Sequence, residues 1–223
     1  MSKPEIWIGA RGWRHESWVG DFYPDDMPSD WWLRYYSNEF DTVLVPWNYL
    51  CDADTPTLQK WIDDTDDGFA FFAELPFTAS NSQVENVLAA LHPRLAGLLI
   101  NTITAEHVIT ENVIPLPDWL ETAKDYVPMA VDGAVLDAAT SIARHQKRGC
   151  YWRPDVENCH ECHGGLGIAE IDSGTIHDPK SLKKILEDCR SVQGPTTIGL
   201  FFGGDAPRID EMRNAIMILQ MLG

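Results

Sequence analysis

The chain has 223 residues, enough for one domain that buries its own core, and its 44% hydrophobic and 23% charged content excludes a disordered segment. Its 34 acidic residues against 17 Lys plus Arg leave a formal charge of −17; such a surface repels phosphate backbones and anionic membranes, so nucleic acid is a poor partner. No apolar run approaches the ~18 residues of a membrane span, Met1-Ser2-Lys3-Pro4-Glu5 runs into a strand without an apolar leader region, and the expectation is a cytoplasmic protein with no membrane partner and with its 5 cysteines reduced.

A short apolar run followed by an amphipathic stretch recurs along the chain. The runs are Ile6–Ala10, Thr42–Pro46, Phe69–Glu74, Gly97–Asn101, Tyr126–Val131, Cys150–Trp152, Leu166–Ile171 and Thr196–Phe202. They are continuous rather than alternating, as in parallel strands covered by helices on the outside. Ser29 or Asp30 starts a predicted helix running to Phe40, and others are predicted over Asn81–Leu91, Asp118–Tyr126 and Ala134–Gln146. Asp178 and Pro179 cap and open one over Ser181–Cys189, and Arg208–Leu222 closes the chain. Eight strands with intervening helices point to a closed barrel over an open sheet, and no glycine-rich phosphate loop follows the first strand. The expectation is a (β/α)8 TIM barrel, one domain over residues 1–223, with some helices short or missing.

The opening of the chain carries a specific pattern. Gly9-Ala10-Arg11-Gly12-Trp13, then Trp18-Val19-Gly20-Asp21-Phe22-Tyr23-Pro24, then Tyr36 and Phe40-Asp41-Thr42-Val43 resemble the start of the YecE-like family, the domain of unknown function seventy-two. Asp67–Phe71, Phe201-Phe202 and Ala206-Pro207 extend the resemblance to the end of the chain. It implies a TIM barrel akin to sugar isomerases and the endonuclease-IV-like barrels, and it implies no established activity.

The departures from the family pattern concern the strand ends. The family's glutamate and asparagine after the second strand are Leu44 and Pro46, and its third-strand lysine is Glu74. A glutamate survives as Asp132 while the arginine two residues on is lost; a late R-x-H-G reads Glu170-Ile171-Asp172-Ser173, and a terminal F-N-N reads Phe202-Gly203-Gly204. Residues at C-terminal strand ends line the mouth of a TIM barrel, so these changes make the mouth acidic and unsuited to phosphate.

Candidate ligand-binding residues are therefore Arg11, Trp13, Trp47, Asn48, Glu74, Asp132, Glu170 and Asp172. Converging carboxylates there would bind a small polar or cationic ligand, or serve a metal-dependent hydrolase or isomerase acting on a sugar-like substrate; carboxylates pointing outward would only add surface charge. Trp13, Trp47 and Trp152 follow or end strands, where indoles either stack on a ligand or pack the core. His15 is a general base or a capping residue. Cys51 and Cys189 read as inert thiols, and no G-x-S-x-G elbow is present.

A second cluster follows the sixth strand. Cys159-His160-Glu161-Cys162-His163 formally matches the haem-tethering C-x-x-C-H, which needs export. Cys159, Cys162 and His163, with Cys150 or His160 as the fourth, also suit a divalent metal such as zinc, and the run leaves a strand on the mouth side. A metal there would organise a connection too short for a full helix; the plainer alternative is a polar loop with incidental thiols.

Overall fold

The computed structural model describes residues 3–101, 117–123, 127–131, 149–154, 159, 162, 165–172, 174 and 177–223. The strands are β1 (Glu5–Arg11), β2 (Thr42–Val45), β3 (Ala70–Pro76), β4 (Leu95–Asn101), β5 (Met129–Val131), β6 (Gly149–Trp152), β7 (Leu166–Asp172) and β8 (Thr197–Gly203). Each pairs in parallel with the next, and β8 closes on β1, the barrel expected from the eight apolar runs.

Alternation along each strand divides the side chains into two apolar sets. Those pointing inward form a plug that includes Leu44, Phe72, Leu99, Ala130, Ile168 and Phe201, with the Phe72 and Phe201 rings edge to face at 5.1 Å. Those pointing outward, such as Val43, Phe71, Leu98 and Leu200, join the buried faces of the helices. Strands buried on both sides read as continuous apolar runs for this reason.

Local signals set the helix starts. Ser80 and Gln83 form a reciprocal capping box, and the helix spans Asn81–Leu91 as predicted. Asp178 accepts hydrogen bonds from the Lys180 and Ser181 amides, with Pro179 opening the helix Pro179–Ser191. The stretch predicted to run to Phe40 is a 3-10 turn, Ser29–Trp31, and a helix that ends at Tyr36. Two helices arise where none was delimited: Trp47–Leu50 and Thr55–Asp63, the latter capped by Asp54. Of the stretch Asp118–Tyr126 the described part is a helix over Trp119–Ala123, and Ala134–Gln146 lies outside the described residues. The closing helix is Ile209–Leu222.

The opening motif builds an aromatic shell around β1. Gly12 has φ +82°, a conformation that suits glycine; after it the chain turns, Arg11 staying at the barrel mouth while Trp13 enters the outer shell. The Tyr36 hydroxyl donates to the Thr42 carbonyl at 2.9 Å and accepts from the Ala10 amide at 2.8 Å, joining β1 to β2. Tyr23 donates to the Trp13 carbonyl at 2.7 Å, and the Trp18 indole N–H donates to the Pro207 carbonyl at 2.6 Å. Burying side chains of this size contributes about 1.5–3 kcal/mol each, so the motif is chiefly a packing device.

Candidate functional site

The inward positions beyond the apolar plug, at the C-terminal ends of the strands, are polar. β1 ends in Arg11, β3 carries Glu74, β4 ends in Asn101, and β7 carries Glu170 and Asp172. Glu74 is buried, 3% exposed. Its carboxylate accepts from Arg11 at 2.6 Å and 3.2 Å on one oxygen and from the Asn101 amide at 2.5 Å on the other. Burial alone would lower the Arg11 guanidinium, but the charges of Glu74 and Glu170 outweigh it and the net shift is upward. Arg11 thus stays a fixed cation.

Glu170 sits on the far side of Arg11. It accepts from the Tyr151 hydroxyl at 3.2 Å. Burial pushes its carboxyl above the usual carboxylate range; Arg11 and Tyr151 oppose the shift and Glu74 adds to it. A carboxyl raised in this way is suited to hold and release a proton. The backbone leaves room for it: a methyl on Gly203 would stand 2.1 Å from Glu170 Oε1. Asp172, further out, pairs with Arg153 at 3.4 Å and accepts from the Gly174 amide at 2.9 Å. That amide first, with Arg153, holds Asp172 below the usual range.

A cavity of about 450 Å³ opens beside this network, lined by Arg11, His15, Trp47, Asn48, Glu74 and Asp205 among others; its size suits a small ligand. Trp47 is half-buried with its ring partly against the outer shell, and Asn48 is exposed. His15 sits at the start of the turn Glu16–Trp18 without capping it by its side chain. Its ring lies 3.1 Å from the Arg11 carbonyl and 4.4 Å from the Trp18 ring, and burial lowers its pKa, favouring the neutral form.

Of the residues expected at the mouth, Arg11 and Glu74 are paired, Glu170 feels the charge of both, Asp172 pairs with Arg153, and Trp47 and Asn48 line the cavity. Trp13 departs from the expectation. It is 2% exposed and packed edge-on against Tyr49 and Trp61, so no face is open to a ligand. Trp152 is likewise buried in the outer shell, because its neighbour Tyr151 takes the inward position. Asp132 lies outside the described residues. The expected acidic mouth also changes character: Arg11 and Arg153 pair two of the three described carboxylates.

The cysteines divide differently. Cys150 and Cys159 are 3.5 Å apart at sulfur, while His163 lies outside the described residues. The position expected on the mouth side is corrected: the Cys162 amide donates to the Gln193 carbonyl at 2.8 Å and its thiol to Leu166 at 3.3 Å, which puts it by the N-terminal ends of β7 and β8. Cys51 and Cys189 lie apart from the mouth network, Cys189 buried with its thiol pushed up to about 12 by burial and nearby charges.

With this geometry in view, a family model described as "Protein of unknown function DUF72" matches residues 7–129. The chain belongs to the DUF72 family. It is similar to a DUF72 family protein from Thermotoga maritima, at 16% identity, covering 98% of this chain and 99% of that one with a TM-score of 0.65. A DUF72 family protein from Enterococcus faecalis is similar at 11% identity, 98% of each chain and a TM-score of 0.64. A D-psicose 3-epimerase shares 10% identity over 96% of this chain and 97% of that one, with a TM-score of 0.54. At these identities the likeness is one of fold. No curated protein matches.

Among the described residues, Asn101, Tyr151 and Arg153 join this DUF72 mouth without any motif to mark them. The signal was parity. Asn101 stands two residues beyond inward Leu99, and Arg153 two beyond inward Tyr151. No helix in the described residues is long and apolar enough to cross a membrane.

Proposed function

We propose that this DUF72 chain binds a small, uncharged polyhydroxylated ligand at the barrel mouth, with Glu170 as the group that exchanges a proton with it. The observation that carries this reading is the Arg11–Glu74–Asn101 network, whose Arg11 and Glu74 line the cavity, with the Glu170–Tyr151 pair within charge reach of both. Donors and acceptors alternate across it, the pattern that a ring of hydroxyl groups complements. Burial raises the pKa of Glu170, which gives the site a carboxyl with a proton to hold or release. Trp47 offers an apolar edge for the carbon face of such a ligand.

A cationic ligand is less well served, because Arg11 and Arg153 stand among the carboxylates. The same pairing speaks against a carboxylate-held metal for a hydrolase or isomerase, since two of the carboxylates already have a guanidinium as partner.

Saturation-transfer NMR tests the reading with glucose, xylose, sorbitol and inositol set beside glucose 6-phosphate and spermidine. Transfer to neutral polyols that falls several-fold in Glu170→Gln supports it. Transfer to spermidine alone, to the phosphate alone, or to nothing overturns it.

A further inference from the structure

Two cysteine sulfurs meet on the outer side of the barrel wall, away from the mouth. On β6 Tyr151 points inward, so Cys150 points outward and packs against the outer shell. The Cys159 thiol donates to the Cys150 sulfur at 3.5 Å. Both residues are partly exposed, within reach of a small solute. The other thiols are placed differently. Cys162 also hydrogen-bonds with Cys150, but it is 3% exposed and its thiol is engaged with the Leu166 carbonyl at 3.3 Å. Cys189 is buried in the helix Pro179–Ser191, its thiol held protonated by burial, and Cys51 follows the helix Trp47–Leu50. Among the described residues no group of three has the arrangement to hold a metal ion. The chemistry open to Cys150 and Cys159 is with each other.

Neutral thiols are weak hydrogen-bonding groups, so facing one another contributes little to stability. Joined as a disulfide, with sulfurs about 2.05 Å apart, they would contribute far more. Cys150 is fixed in β6, whereas Cys159 lies outside any helix or strand, so side-chain rotation at Cys159 is enough to bring its sulfur onto its neighbour. We propose that Cys150 and Cys159 are a thiol–disulfide switch, closed by a low-molecular-weight disulfide, that fixes the mouth end of β6. One thiolate of the pair attacks a sulfur of the small disulfide and expels a small thiol. The other then attacks the protein sulfur of the mixed disulfide and expels the second. One S–S bond is exchanged for another, and the two cysteine protons leave on the two small thiols. The ring so closed runs through Tyr151 and Arg153. Their side chains reach the mouth, Tyr151 at Glu170 and Arg153 at Asp172. Closing the ring therefore restrains the stretch of chain that presents both.

The test equilibrates the wild-type chain with reduced and oxidised glutathione in varied ratio, blocks free thiols by alkylation and maps the cysteines by peptide mass spectrometry. We expect one reversible transition in which Cys150 and Cys159 become linked with the loss of two hydrogens, while Cys162 and Cys189 stay reduced. In the oxidised form, amide exchange over residues 150–153 should slow several-fold and Tm should rise by about 5 °C or more. Cys159→Ser should show neither change under the same treatment. Cys150 and Cys159 still free at the oxidising end, carrying only glutathione, or a Cys150–Cys162 bond in their place, overturns the proposal. So does a Cys150–Cys159 bond that leaves exchange over residues 150–153 unaltered, or a shift of the same size in Cys159→Ser. The readouts on the wild type do not depend on any variant folding, and none of these outcomes bears on the ligand at the mouth.

Discussion

The floor of the barrel and its mouth are built from the same strands and the same inward parity, yet they differ in kind. Phe72 gives way to Glu74 two residues on, Leu99 to Asn101, and Ile168 to Glu170. Below the change the interior is a packed apolar plug; above it the donors and acceptors are held by one another. The floor closes the barrel, and the mouth tolerates buried charge only because Arg11 and Asn101 satisfy Glu74. What belongs to the fold and what belongs to a site thus separates within single strands, over one pleat.

That contrast can be broken first at the floor. Phe72→Ala opens a cavity against Phe201 and should cost about 3–5 kcal/mol in urea unfolding, while leaving the mouth side chains in place. Arg11→Met comes next. It leaves the Glu74 carboxylate buried without its cation, and because Arg11 is partly exposed the expected loss is about 2 kcal/mol, most of it recovered in Arg11→Met/Glu74→Gln. A double variant as unstable as the single one would show that Arg11 acts through packing rather than pairing.

Glu170 sharpens the contrast through pH. Its folded pKa lies above the unfolded value, chiefly through burial. The stability this brings is complete below the unfolded value and is lost as pH rises through the folded one. Glu170→Gln should therefore match the wild type in Tm at low pH and exceed it increasingly as the carboxyl ionises. A constant difference across pH would remove Glu170 from the titration. The smallest effect is expected at Asn48, exposed at the cavity edge: Asn48→Ala should change stability by less than about 0.5 kcal/mol and weaken binding of any polyol the NMR panel detects.

The sequence revealed the barrel more fully than the site, for a physical reason. Strands buried on both faces advertise themselves as unbroken apolar runs, and Ser80 and Asp178 mark helix starts by local capping alone. Site membership depends on which way a side chain points, and only register fixes that. Trp13 stands on the parity of Arg11, yet the turn at Gly12 carries it into the outer shell, and Trp152 ends its strand on the outward parity. Tyr151 and Arg153, on the inward parity, carry no motif that marks them. The pairing within the mouth is not legible from carboxylates counted at strand ends, because Arg11 and Arg153 come from neighbouring ends to meet Glu74 and Asp172. Cys162 lies opposite the mouth because a connection leaves the mouth but must return to the other end of the barrel.

The empty place beside Gly203 links two of the departures from the family pattern. The resemblance puts asparagine where β8 ends in Gly203 and arginine where β7 carries Glu170. A Cβ at 203 would overlap the Glu170 carboxyl, so the absence of a side chain at 203 leaves the volume that the acid occupies. Gly203→Ala would evict Glu170 from its seat and break its contact with Tyr151. In this chain bulk at the end of β8 and the proton-bearing group on β7 compete for one volume.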